Sequence, residues 1–194
     1  LPPDGSLRRL MTVDLSGIAK WPNVPACYDW LSLDRRGDWR LQGERVTHSG
    51  LINFMHRQYG CDESGCWFVQ NGPQRVFVRL ACTPWIFRFN ATPERELVSQ
   101  TGQAAGAIKA IYLDADGNIL FDTELGIGLL DDRDLATFIG QCCDIHGRPA
   151  EENAFFGLMQ GRSTRIDWQG LTLGKIAAAD LPKRFNFNPQ PSQA

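Results

Sequence analysis

Apolar and polar residues alternate with period two through much of the chain, and twice this gives way to helical spacing. Leu33-Asp34-Arg35-Arg36-Gly37-Asp38-Trp39 and Leu113-Asp114-Ala115-Asp116-Gly117-Asn118-Ile119 each read as a strand, a glycine-containing turn and a returning strand. One amphipathic helix follows each. The first is expected to start at Thr47 or Ser49, to turn Leu51, Ile52, Phe54, Met55 and Tyr59 inward, and to end at Gly60. The second is expected to be capped by Asp131 and to carry Leu135, Phe138, Ile139 and Cys142 at i, i+3, i+4 and i+7. A strand pair should follow each helix. The first runs from Cys66 to Gln70 and back through Arg75 to Cys82, turning at Asn71-Gly72-Pro73. The second runs from Ala154 to Gln160 and back through Thr164 to Trp168, turning at Gly161.

Matching positions recur 80 residues apart at the hairpins and 84 apart at Phe54 and Phe138, so the expected fold is α+β with an internal structural repeat. Two similar modules, residues 30–100 and 101–182, would each hold a curled antiparallel sheet partly wrapping one helix. Residues 1–29 should be irregular, because Pro2, Pro3, Pro22 and Pro25 interrupt any long element. Trp21, Tyr28 and Trp30 would pin that segment to the body. Residues 183–194 form a polar tail expected to fray.

Of the 194 residues, 43% are hydrophobic and 22% charged, enough to bury a substantial core. The net charge of −2 argues against a dedicated nucleic-acid binder, which usually carries a basic excess. No run approaches the roughly 18 apolar residues a membrane-spanning helix needs, and Leu-Pro-Pro-Asp-Gly-Ser at the start lacks the regions of a signal peptide. Six cysteines in a chain this long do not suggest a disulfide framework, so a reducing, cytoplasmic setting is expected.

If Thr83-Pro84 forms a two-residue turn, Cys82 faces Trp85, Leu80 faces Phe87 and Val78 faces Phe89. Val76, Val78, Leu80, Cys82, Trp85, Phe87 and Phe89 then share one core face. On the opposite face Arg79 would lie across from Arg88, where like charges repel. The preceding hairpin sets Phe68 across from Phe77 and Cys66 across from Arg79. Two arginines beside two aromatics suit an anion with an apolar portion, because guanidinium groups hold carboxylate or phosphate in bidentate fashion. The structural alternative is that this face packs on the second module or a second copy, with Glu94, Glu96 or Asp62 neutralising the arginines.

Other motifs carry less. Asp114-Ala115-Asp116-Gly117-Asn118 opens like a calcium loop, but Ile119 and Leu125 stand where an EF-hand needs Gly and Glu; a tight turn accounts for the Asp, Gly and Asn. Cys61 and Cys66 could supply half of a zinc site, completed by Cys82, His56 or His48, yet no second pair at ligand spacing follows. There is no G-x-S-x-G elbow and no P-loop. No cofactor is expected.

The order Gly37-Asp38-Trp39-Arg40-Leu41-Gln42-Gly43-Glu44-Arg45-Val46, a helix, Gly65-Cys66-Trp67-Phe68-Val69 and a closing Arg162–Ala178 stretch with Trp168-Gln169-Gly170 resembles a bacterial family of unknown function. The resemblance spans residues 30–180. It implies two helix-plus-curled-sheet modules likened to the pleckstrin-homology architecture, and a signalling role. The leading functional expectation is therefore a non-catalytic binding or regulatory protein for a small anionic ligand or a protein partner, with Arg79, Arg88, Phe68 and Phe77 as the ligand-binding residues. The alternatives are a metal- or thiol-dependent enzyme around Cys61, Cys66 and a histidine, and a dimerisation module.

Overall fold

A computed structural model describes residues 21–91 and 96–193. Its strand geometry starts from four Asp-x-x-Gly-x turns. In each, the aspartate side chain accepts backbone N–H groups two and four residues on: Asp34 from Arg36 and Asp38, Asp62 from Ser64 and Cys66, Asp114 from Asp116 and Asn118, and Asp144 from His146 and Arg148. The glycine supplies the left-handed residue that the turn requires, with φ of 79° at Gly37 and 84° at Gly117.

The first sheet contains β1 (Ala26–Leu33), β2 (Trp39–Leu41), β3 (Glu44–Arg45), β4 (Tyr59–Cys61), β5 (Trp67–Asn71) and β6 (Gln74–Leu80). Their spatial order is β3-β2-β1-β6-β5-β4, with β1 parallel to β6. This sheet is mixed where an antiparallel one was expected, because β1 and β6 are joined not by a hairpin but by a crossover through a helix. Helix α1 (Ser49–Gln58) separates β3 from β4. Its N-cap is His48, whose Nδ1 accepts the Leu51 N–H at 3.2 Å, and it turns Leu51 and Met55 into the core. β1 begins inside the stretch expected to be irregular. Of that stretch, residues 1–20 lie outside the described residues.

The second sheet holds β7 (Trp85–Phe89), β8 (Leu97–Ser99), β9 (Ile108–Leu113), β10 (Ile119–Thr123), β11 (Ile127–Leu130), β12 (Asp167–Trp168) and β13 (Leu171–Lys175). The order is β12-β13-β9-β10-β11-β7-β8, with β9 parallel to β13 and β7 parallel to β11. Asp131 does cap the second helical segment, but one turn of 3-10 helix precedes a short α2 (Leu135–Ile139). The expected strand from Ala154 to Gln160 is instead helix α3 (Glu152–Met159). A short, nearly unbroken apolar run does not reveal its period, and here Gly157 lets the helix approach Thr164 closely. The last described helix is α4 (Leu181–Arg184).

The hairpin expected at Thr83-Pro84 does not form. β6 is an interior strand, flanked by β1 and β5, so it has no free edge to offer β7. The chain crosses to the second sheet there instead. The buried Thr83 hydroxyl donates to Trp85 O at 2.8 Å and accepts the Leu129 N–H at 2.9 Å, while Tyr59 Oη and Gln100 Nε2 both donate to Pro84 O. β7 and β8 thus belong to the second sheet.

Two apolar cores follow. Leu31, Leu33, Trp39, Leu51, Met55, Val76, Val78 and Leu80 from the first half meet Tyr112, Leu120, Ile127 and Leu129 from the second. Ile111, Leu113, Ile119, Phe121 and Leu130 point the other way, toward Phe87, Phe138, Trp168 and Leu173. β9, β10 and β11 are therefore covered on both faces. The tail is not frayed over its whole length: Phe187 is buried in the first core, Asn188 N–H donates to Gly65 O, and Leu80 N–H donates to Pro189 O. Among the described residues no helix is long and apolar enough to cross a membrane.

Gly128 on β11 lies against the Phe87 ring so closely that a Cβ would overlap it. Gly128→Ala is expected to destabilise the protein by on the order of 3 kcal/mol, by overpacking a core that cannot yield. Urea denaturation measures this, and Phe87→Leu in the same chain should recover part of the loss.

Candidate functional site

Strand β6 reads Arg75-Val76-Phe77-Val78-Arg79. Val76 and Val78 enter the first core, so Arg75, Phe77 and Arg79 must emerge on the opposite face. β5 pairs Phe68 with Phe77 and Gln70 with Arg75, the register expected from the Asn71-Gly72 turn. β1 contributes a third aromatic through an irregularity. Its register with β6 shifts between Cys27 and Leu31, and Asp29 there adopts φ 61°. Bulges of this kind re-aim side chains, and here Tyr28 lies flat on Phe77, with ring centroids 4.6 Å apart and planes 3° from parallel. Phe68 meets the same ring edge-on at 6.0 Å.

Phe77 is only 8% exposed, yet it belongs to neither core. Its burial comes from this outer face. The Arg75 guanidinium lies 4.7 Å above the Phe68 ring, a cation–π arrangement. Arg79 approaches Asp29 at 3.6 Å, with both side chains more than half exposed; such a pair contributes little stability. Two guanidinium groups, exposed among the described residues, thus flank three aromatic rings on a broad sheet face.

Of the expected ligand-binding residues, Arg79, Phe68 and Phe77 share this face. Arg88 does not. It stands on β7 in the other sheet, where Nε and Nη2 donate to the two Asp134 carboxylate oxygens at 3.0 Å each. Asp134 also accepts the Phe89 N–H. The arginine counter-ions are Asp29 and Asp134, not Asp62 or Glu96, and Glu94 lies outside the described residues. Tyr28 and Arg75 complete the face. Arg75 was visible in the β6 alternation; alternation with the buried Cys27 also turns Tyr28 outward, and the register shift between β1 and β6 is what sets it beside Phe77.

The other candidate chemistry is dispersed. The Cys61 thiol donates to Asp62 O at 3.3 Å, and burial, with the nearby Asp62 charge, pushes its pKa up to about 11. That is the reverse of a reactive thiolate. Cys66 accepts a long hydrogen bond from Asn188 Nδ2, His48 spends Nδ1 on its helix cap, and burial lowers the pKa of His56, which stands beside Trp39. Among the described residues no three His, Cys, Asp or Glu side chains converge to hold a metal ion. At Asp114-Asn118 the carboxylate is spent on its own turn.

A family model for a protein of unknown function (DUF2946) matches residues 12–192. The chain belongs to this family, DUF2944. The DUF2944 chain is similar in structure to a DUF1285 family protein from Silicibacter pomeroyi DSS-3. The two are 12% identical, with 77% of this chain and 80% of that one covered and a TM-score of 0.50. A second DUF1285 family protein, from Shewanella baltica OS155, is 17% identical over 57% of this chain and 90% of its own, with a TM-score of 0.42. No curated protein matches the chain. The likeness to the Silicibacter protein is one of fold, and the resemblance read from residues 30–180 stands as membership of a family of unknown function.

The Arg88 hydrogen bonds hold the Asp134 carboxyl below the usual carboxylate range, with the Phe89 N–H adding to the effect against the cost of burial. A carboxyl lowered by folding stabilises the DUF2944 fold above its unfolded pKa of about 4 and loses that contribution as pH falls through the folded value. Asp134→Asn should therefore lower Tm at pH 7 by about 2–4 °C, for a loss near 1 kcal/mol, and should flatten the decline of Tm on the acid side. Thermal melts across the acid range check this, and Arg88→Met should behave alike.

Proposed function

We propose that the protein is a non-catalytic recognition protein that binds an anionic, aromatic-bearing segment of a protein partner on the outer face of its first sheet. The observation that carries this reading is the stack of Tyr28, Phe77 and Phe68, outside both cores and flanked by Arg75 and Arg79. Aromatic and arginine side chains dominate the energetics of protein interfaces. Small ligands favour concave sites, so a broad sheet face fits a polypeptide better. Arg79, Phe68 and Phe77 are the core of the proposed site, joined by Arg75 and Tyr28.

A regulatory or signalling role, and the likeness to pleckstrin-homology modules, belong to the same proposal. What supports the likeness is that each half sets a helix against a curled sheet, α1 by Leu51 and Met55 and α2 by Phe138, although the second half adds α3. The repeated two-module plan is supported by the sheet orders. β3-β2-β1-β6-β5 and β11-β10-β9-β13-β12 run alike, with β1 parallel to β6 and β9 parallel to β13. The aspartate turns recur in step, Asp34 with Asp114 at 80 positions and Asp62 with Asp144 at 82. In this plan the crossing at Thr83 is the seam, and β7 and β8 extend the second module. Six free cysteines support a reducing, cytoplasmic setting.

Fluorescence anisotropy with labelled acidic peptides carrying one Phe or Trp, and with their lysine counterparts, tests the proposal. The acidic peptides are expected to bind, more weakly as salt rises. Arg75→Glu with Arg79→Glu should weaken them about tenfold or more without lowering Tm, while Arg88→Met should leave affinity unchanged. Equal binding of acidic and basic peptides, or full affinity in the Arg75/Arg79 variant, would overturn it. A Tm rise with small anions, lost in that variant, would replace the partner by a small ligand.

A further inference from the structure

The large apolar side chains most exposed among the described residues fall into two places. Val24 stands beside the recognition face, where Val24 O accepts from Gln74 and Pro25 O accepts the Arg75 N–H. Ile139, Ile145 and Phe156 lie in and around α2 and α3. α3 has no counterpart in the first half of the chain. The Asp62 turn leads directly into β5, whereas the Asp144 turn is followed by α3 before β12.

This inserted helix carries an acidic and aromatic ridge. Phe156 is 49% exposed. Glu152 lies one turn before it, on the same side of the helix, and both Glu151 and Glu152 are exposed. Glu151 is the N-cap residue but makes no side-chain cap bond, and among the described residues neither glutamate is in an ion pair. The ridge has the opposite charge and the same aromatic character as the face on β6. There Arg75 and Arg79 lie about 13 Å apart along the strand with Phe77 between them, whereas the adjacent glutamates stand only about 3.8 Å apart, so it is the long arginine side chains that converge on them.

We infer that α3 of a second copy of this chain docks on the outer face of the first sheet, pairing Glu151 and Glu152 with Arg75 and Arg79 and setting Phe156 against Tyr28 and Phe68. This rests on the proposed reading of that face as a binding surface and names its occupant when no partner is present. A partner's acidic segment then competes with α3, so recognition is regulated by the concentration of the chain itself. The two patches differ, so the contact joins unlike surfaces. It closes where each copy gives its helix and receives the other's.

Sedimentation velocity on the full chain, with circular dichroism to verify folding, tests this. The wild type should gain mass above the 21.7 kDa monomer as concentration rises to ~100 µM. Arg75→Glu with Arg79→Glu, and separately Glu151→Arg with Glu152→Arg, should each remain monomeric. An equimolar mixture of the two variants restores opposite charge at both contacts and should associate again. A monomeric wild type, association that survives in either variant, or a mixture that stays monomeric would each overturn the inference. Acidic-peptide binding by the Glu151/Glu152 variant, whose sheet face is intact, separates the outcomes: if it binds peptide while the wild type does not self-associate, the docking of α3 fails and the recognition reading stands.

Discussion

The architecture depends on one constraint: the central strands of the second sheet are apolar on both faces. Along β10, Ile119 and Phe121 point to one core and Leu120 to the other; along β9, Ile111 and Leu113 oppose Tyr112. A strand of this kind is stable only if both faces are covered. α2, α3 and the β12–β13 pair cover one face. The first sheet and α1 cover the other, so the two halves cannot part without exposing β9 to β11. The crossing at Thr83, fixed by its hydroxyl and by the bonds to Pro84 O, is where the chain passes from cover to covered.

This division leaves the first sheet with an outer face that belongs to neither apolar core. Its inner residues close the first core, and its outer residues carry the proposed site. The side chains there differ from those of an ordinary solvated sheet. Three aromatic rings stack outside both cores, and the arginines beside them are held by one loose ion pair and one ring contact. Arg88 shows the contrast. Its carboxylate partner is fixed through both oxygens and a backbone N–H, which is how an arginine looks when its role is structural.

The local elements were largely legible. Both Asp-x-x-Gly hairpins, the first helix, the Phe68–Phe77 register and the Asp131 cap follow from residue chemistry that acts over a few positions. What failed was tertiary. The Thr83-Pro84 turn looked like a hairpin because every apolar residue around it agreed, but the same pattern fits two strands serving different cores. Only the occupied edges of β6 decide between them. The Ala154–Met159 run was ambiguous because an apolar segment without polar interruptions carries no period. On the candidate site, Arg79, Phe68 and Phe77 were within reach because they obey alternation. Arg88 was misplaced with the hairpin, and Tyr28 was missed because its stretch was expected to be irregular and its parallel pairing with β6 is not a local property.

The strap formed by residues 187–189 has a consequence for the order in which the protein can be made. Phe187 fills part of the first core, and residues 188 and 189 bond to Gly65 and Leu80, so Asn188 meets Cys66 across 122 positions of sequence. During synthesis the first sheet emerges well before the second, and before the strap that closes it. Contacts of such long range are slow to form and leave apolar surface open in the interval. The first half therefore waits, incompletely closed, until the ribosome has released residues 187–189. A nascent chain stalled before Phe187 would present an open first core to chaperones, however complete its hairpins already were.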